Sequence, residues 1–247
     1  MDAKFNLPTE TVELPSKGLL YPEDSPLSSG TVEMKYMTAK EEDILTNSNY
    51  ISNGTVMDKL LSSLIIDKNI KTQDLLIGDK NALFIACRIL SYGKDYDIAY
   101  GGEYVKVDLS KLDHKLVDYD LYKERKNEFE FQLPNTDNVV TIKCLTSADE
   151  KAINSEIEGN MKISKDNNTS SSTRLKHLIT SVNGLRETKD IRHFVDNFLL
   201  AKDARAIRKF YDQINPDIDL TYKVTNRSGG EEVVNVPIGI DFFWPDA

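Results

Sequence analysis

Apolar positions recur every second residue in some stretches and near every 3.6 in others, and the switch between the two periods marks the elements. Residues 31–37 read as a strand, because Val32, Met34 and Tyr36 alternate with Glu33 and Lys35. Thr38-Ala39-Lys40-Glu41 follows as a capping box, whose outer side chains satisfy backbone N–H groups that a helix start leaves without partners. The helix it opens carries Ile44 and Leu45. Val56, Leu60, Leu61 and Leu64 share one helical face. Residues 79–92 give another helix, with Leu83, Phe84, Ala86, Cys87 and Leu90 inward and Gly93 as its C-cap. A hairpin over 96–109 turns at Gly101-Gly102. The charged stretch 110–128 reads as loop with a short helix.

The second half opens in the same way. Phe129 and Phe131 alternate with acids, residues 135–138 form a turn, and 139–145 form a strand. Thr146-Ser147-Ala148-Asp149 opens a helix with Asp in the reciprocal capping position. The polar run 164–173 reads as a mobile loop. Helices are expected over 174–182, 188–201 and 204–214, the last stopped by Pro216, and a closing hairpin over 218–236 turns at Ser228-Gly229-Gly230.

The halves match in order. Val32-x-Met34-Lys35-x-Met37-Thr38 aligns with Val140-x-Ile142-Lys143-x-Leu145-Thr146, and residues 60–64 with 178–182. Gly101-Gly102-Glu103-x-Val105 aligns with Gly229-Gly230-Glu231-x-Val233. Three matches in sequence order point to a duplication. The expected fold is α+β: two related lobes of helices packed on small antiparallel sheets or hairpins, preceded by an extended arm. The arm covers residues 1–30, where Pro8, Pro15, Pro22 and Pro26 forbid a helix. The first lobe with its charged linker spans 31–128, and the second, with an aromatic tail, spans 129–247.

Composition narrows the function by exclusion. Forty acids against 31 bases leave a net charge of −9, which argues against nucleic acid as a partner. The apolar stretches are too short to span a membrane, and Met1-Asp2-Ala3-Lys4 lacks the apolar stretch of a secretory signal. Cys87 and Cys144 read as buried free thiols of a cytoplasmic protein. His114, His177 and His193 have no metal-ligand spacing, and nucleophile-elbow and phosphate-loop motifs are missing. No catalytic residue, cofactor or metal is therefore expected. The candidate partner-binding residues are apolar and lie near the chain ends: Leu19, Leu20, Tyr21 and Pro22 in the arm, and Phe242, Phe243, Trp244 and Pro245 in the tail. Consecutive aromatics cannot all face one side of a strand, so at least one is expected to point toward another lobe or another molecule.

Leu14-Pro15-Ser16-Lys17-Gly18 with Tyr21-Pro22, the run 37–45 from Met37 to Leu45, residues 77–82 and the terminal Phe242-Phe243-Trp244-Pro245 together resemble the baseplate proteins of T-even tailed phages. That family comprises a baseplate hub subunit and a hub assembly catalyst, where catalyst means an assembly factor. The resemblance implies a non-enzymatic role in building the central hub of a contractile-tail baseplate, or a structural hub subunit kept in the virion. The implied partners are other baseplate hub or tail proteins, met in the host cytoplasm during assembly. The zinc-knuckle-like CPxCG segment of some relatives has no counterpart in the turns at Gly101 and Gly229, which contain no cysteine.

Overall fold

A computed structural model of the chain describes residues 7–163, 169–225 and 230–243. The chain enters through β1 (Thr9–Glu13), which pairs antiparallel with β2 (Thr31–Lys35). The segment expected as an extended arm thus contributes a strand, and residues 14–30 fold back as a closed loop. Its ends are tied by the Leu14 N–H, which donates to the Gly30 carbonyl at 2.9 Å. Glycine permits this closure: a Cβ on Gly18 would meet the Ser28 carbonyl oxygen at 2.5 Å, and one on Gly30 would meet Lys17 backbone at 2.7 Å. The prolines exclude a helix here but do not prevent compaction.

Next come α1 (Ala39–Leu45), α2 (Ser48–Ser52), α3 (Val56–Leu64) and α4 (Ile77–Tyr92), then the hairpin of β3 (Asp95–Tyr100) and β4 (Glu103–Asp108). The short α2 has a local cause, since the Asn47 side chain accepts from the amides of Asn49 and Tyr50. A 3-10 turn at Tyr119–Tyr122 lies in the charged connection to the second half.

The second half holds β5 (Phe129–Gln132), β6 (Val139–Ile142), α5 (Ser147–Ile163), α6 (Ser170–Leu178) and β7 (Ile179–Val182). It continues through α7 (Thr188–Asn197), α8 (Ala201–Ile214), β8 (Thr221–Thr225) and β9 (Glu231–Asn235). Several expected boundaries shift: the helix expected to reach residue 201 stops at Asn197, and the next begins at Ala201 rather than 204. The sixth helix begins inside the polar run expected as a loop, of which residues 164–168 lie outside the described part, and it stops at Leu178 rather than 182. Residues 179–182 form a strand because β6 offers an open edge; Val140 pairs with Val182, and Ile142 with Ile179.

The two halves repeat a strand pair, a capped helix and a final helix with hairpin, and the strand pairs keep one register. The short α2 has no counterpart in the second half, and β7 and α7 stand where the first half has only a bridge at Ile65 and a 3-10 turn at Thr72–Asp74. Val12 opposite Val32 corresponds to Phe131 opposite Val140, and Glu10 opposite Met34 to Phe129 opposite Ile142. The Leu14–Gly30 closure recurs as Leu133 N–H to the Asn138 carbonyl, at 2.8 Å. The Lys35–Glu41 ion pair recurs as Lys143–Asp149, both at 2.7 Å. Met34 bridges Ile65 at the end of α3 as Ile142 pairs with Ile179 at the end of α6. Leu64 therefore corresponds to Leu178, one helical turn earlier than the leucine-rich match in the sequence suggests. In the hairpins Tyr96–Val107 corresponds to Tyr222–Val234. Half-buried Val105 thus has no true equivalent in Val233, which is 62% exposed, because a slip of one residue reverses the face of a strand. A single apolar cluster runs through both halves, from Leu14 to Phe243.

Candidate functional site

Asp79 is the third residue of α4 and is fully buried. It accepts from the Ser16 N–H at 2.9 Å, the Ser16 hydroxyl at 2.7 Å and the Tyr21 hydroxyl at 2.7 Å. The Tyr21 oxygen in turn accepts the Leu76 N–H at 2.8 Å, one of the amides that a helix start leaves without an internal partner. A carboxylate beside a helix N-terminus is favoured by the peptide dipoles. Burial nevertheless pushes the Asp79 carboxyl above its ordinary range, with the three donors opposing it. Burial and the neighbouring Asp79 push the Tyr21 phenol far up. The network clasps the 14–30 loop onto α4, and the Tyr119 hydroxyl adds a bond to the Pro15 carbonyl at 3.0 Å.

Asp203 repeats the arrangement as the fully buried third residue of α8. It accepts from the Asn135 N–H at 3.0 Å, the Asn135 side-chain amide at 2.7 Å and the Thr136 hydroxyl at 3.1 Å. Each half thus uses one buried aspartate to hold the loop of its first hairpin. The signal was in the sequence: Leu14-Pro15-Ser16 is echoed by Leu133-Pro134-Asn135, and Leu75-Leu76-x-x-Asp79 by Leu199-Leu200-x-x-Asp203.

The structure places the terminal candidates mostly inside the chain. Leu20 and Tyr21 are buried, Leu19 packs half-buried against the same cluster, and Pro22 is exposed. Phe242 and Phe243 are both buried: Phe243 meets Phe84 edge-on at 5.9 Å between ring centres, and Phe242 meets Tyr96 at 4.9 Å. The neighbours both point inward because Asp241–Phe243 is a 3-10 turn, not a strand. The buried Arg88 guanidinium donates to the Phe242 carbonyl at 3.0 Å and to the Gly93 carbonyl at 3.0 Å. Trp244 and Pro245 lie outside the described residues.

Other polar groups are also engaged in the fold. His177 lies 3.0 Å from Glu156, whose carboxylate also takes a two-pronged bond from Arg192 at 2.7 and 2.6 Å. Cys87 and Cys144 are buried and unpaired, and burial pushes the Cys87 thiol up to about 12, far from a reactive thiolate. Among the described residues no group of three or more His, Cys, Asp or Glu could hold a metal ion, and no helix is long and apolar enough to cross a membrane.

Residues 8–244 match a family model described as T4 bacteriophage base plate protein. No curated protein and no solved structure matches the chain.

Proposed function

The chain belongs to the T4 bacteriophage base plate protein family, and from that membership we propose that it is a non-enzymatic protein acting in assembly of the baseplate's central hub. The family match over nearly the whole chain carries this reading. The interior chemistry supports it, because Asp79, Asp203 and Arg88 hold loops and the terminal turn in place. In this reading the partners are hub or tail proteins, and the work is done in the host cytoplasm before the tail is complete.

A second reading, a structural hub subunit retained in the virion, is favoured by the docked ends. Tyr21, Phe242 and Phe243 sit in the core, which suits a rigid part more than a releasable anchor. Affinity capture of the intact protein from infected cells, with mass spectrometry of finished particles, separates the two. Capture of hub proteins with no copies in particles supports the assembly factor. Stoichiometric copies in particles support the subunit, and failure to capture any hub protein overturns both.

A further inference from the structure

The seam between the halves is built from two short backbone strips. Residues 75–77 of the first half lie antiparallel to residues 145–147 of the second. Ile77 N–H donates to the Leu145 carbonyl at 3.0 Å, and Ser147 N–H to the Leu75 carbonyl at 2.9 Å. Both strips are covered: Leu75 and Leu145 are 0% exposed and Leu76 is 2% exposed.

Each strip has a counterpart in the other half. Residues 199–201 lead into α8 as 75–77 lead into α4; Ala204 N–H donates to the Leu200 carbonyl as Lys80 N–H donates to that of Leu76, both at 2.9 Å. Residues 37–39 lead into α1 as 145–147 lead into α5, with Thr38 matching Thr146 in the capping box. The counterparts are less covered, most clearly at 199–201, while Thr38 is half-buried as Thr146 is. Leu200 is 48% exposed and the adjacent Phe198 57%. Ala39 and Ala201 are exposed, and Met37 and Leu199 are half-buried. Among the described residues, the Ala39 and Ala201 amides and the Met37 and Leu199 carbonyls make no hydrogen bond outside their own elements.

We propose that these less covered strips are mates, and that a second copy of this chain seats its residues 37–39 on residues 199–201 of the first. Ala201 N–H then donates to the Met37 carbonyl and Ala39 N–H to the Leu199 carbonyl, while Phe198 and Leu200 lose their exposure. The occupant follows from the internal seam, where the first half already receives the strip to which 37–39 is equivalent. Charge agrees on balance: α1 presents exposed Glu42 and Asp43 against one exposed Lys40, and α8 presents exposed Lys202 and Arg205. One difference between the halves is also compatible. Gly78 is required because a Cβ would meet the Pro216 carbonyl oxygen at 1.9 Å, in the connection that follows α8. The connection after α4 is only Gly93-Lys94, so Lys202, standing where Gly78 stands, meets no such wall. The contact joins two different patches, so copies add head to tail.

Sedimentation of the full chain over a concentration series tests this. The wild-type mass rises with concentration. Ala39→Pro and Ala201→Pro each delete one donor at the first residue of a helix, where proline is tolerated. The preceding residues, Thr38 (φ −123°, ψ 173°) and Leu200 (φ −65°, ψ 145°), already have the extended backbone that proline demands. Either variant alone associates about tenfold or more weakly, since a lost bond and a clashing ring together exceed 1.4 kcal/mol. An equimolar mixture of the two forms dimers that do not grow, because each variant retains the strip the other lacks.

A second measurement is independent of the prolines. The Leu76–Thr146 pair is flanked by hydrogen bonds, a geometry that brings facing side chains close. Mixing Thr38→Cys with Leu200→Cys under mild oxidation therefore yields a disulfide-linked dimer, which neither variant yields alone. Cys87 and Cys144 do not compete, being buried. A monomeric wild type at every concentration, association indifferent to both prolines, or no mixed disulfide overturns the proposal. A monomeric wild type would assign the 199–201 strip to a different baseplate chain.

Discussion

Tyr21 and Asp79 meet at 2.7 Å, hydroxyl to carboxylate, and through that bond the N-terminal loop is fixed to the start of the fourth helix. Because the Tyr21 oxygen also accepts the Leu76 amide, one side chain completes two needs of the same helix terminus.

Removing either partner should cost more than a surface contact. Tyr21→Phe leaves the Leu76 N–H without its acceptor and is expected to lower unfolding free energy by about 1–3 kcal/mol. Asp79→Ala abandons three donors at once and is expected to cost about 3–5 kcal/mol. Urea titration measures both, and a loss below about 1 kcal/mol for Asp79→Ala would contradict the clasp.

Acid should weaken the fold through Glu41 and Glu156. Burial raises the Glu41 carboxyl, but hydrogen bonds from Lys35, Ser63 and Thr38 outweigh it and hold the group down to about 2. The Arg192 guanidinium, with His177, holds Glu156 down to about 2 against a smaller effect of burial. A carboxyl with a depressed folded pKa contributes stability above its unfolded value near 4.5, and that contribution is lost as pH falls toward 2. Urea midpoints should fall across this window, and Glu41→Gln should be less stable at neutral pH with a shallower acid decline. An unchanged slope would remove Glu41 from the account.

Two glycines should respond oppositely to alanine. At Gly78 the added methyl meets Pro216 backbone, so Gly78→Ala is expected to destabilise by about 1–3 kcal/mol or more. At Gly159, inside α5, nothing lies within 4 Å, and Gly159→Ala is expected to stabilise by about 0.5–1 kcal/mol. Thermal melts of the two variants give the signs directly.

Deleting residues 241–247 removes Phe242 and Phe243 from the core and should lower the melting temperature sharply, as Phe243→Ala should at about 3–5 kcal/mol. Pro22→Ala, at an exposed position, should stay within about 0.5 kcal/mol. If deletion of residues 244–247 alone loses partner capture and keeps the melting temperature, the tail acts as an anchor through residues beyond Phe243.

Much of the architecture was legible because it is local. The alternation of Val32, Met34 and Tyr36, the Thr38 and Thr146 capping boxes, and the spacing of Val56, Leu60 and Leu64 are settled by neighbours within a few residues. Of the three matches that suggested a duplication, the strand-and-cap one keeps its register, whereas the leucine-rich and hairpin ones are displaced by four residues and by one. The candidate site was less so: the sequence showed apolar clusters near both ends, but not whether they face inward.

The sequence by itself determined the α+β class, the helical faces and the existence of a repeat, because periodicity and capping depend on side chains close along the chain. Only the tertiary structure decided that 179–182 leaves its helix for a strand, since the β6 edge that recruits it lies far away in sequence. Tertiary structure also decided that Asp79 and Asp203 are buried, because each needs donors from a distant loop before desolvation becomes tolerable. The seam at Leu76 and Thr146 is of the same kind: Gly78 beside Leu76, where Lys202 stands beside Leu200, is a local difference, but its meaning appears only once Pro216 lies against it. What separates the seam from its counterparts at Leu200 and Thr38 is which strip lies opposite.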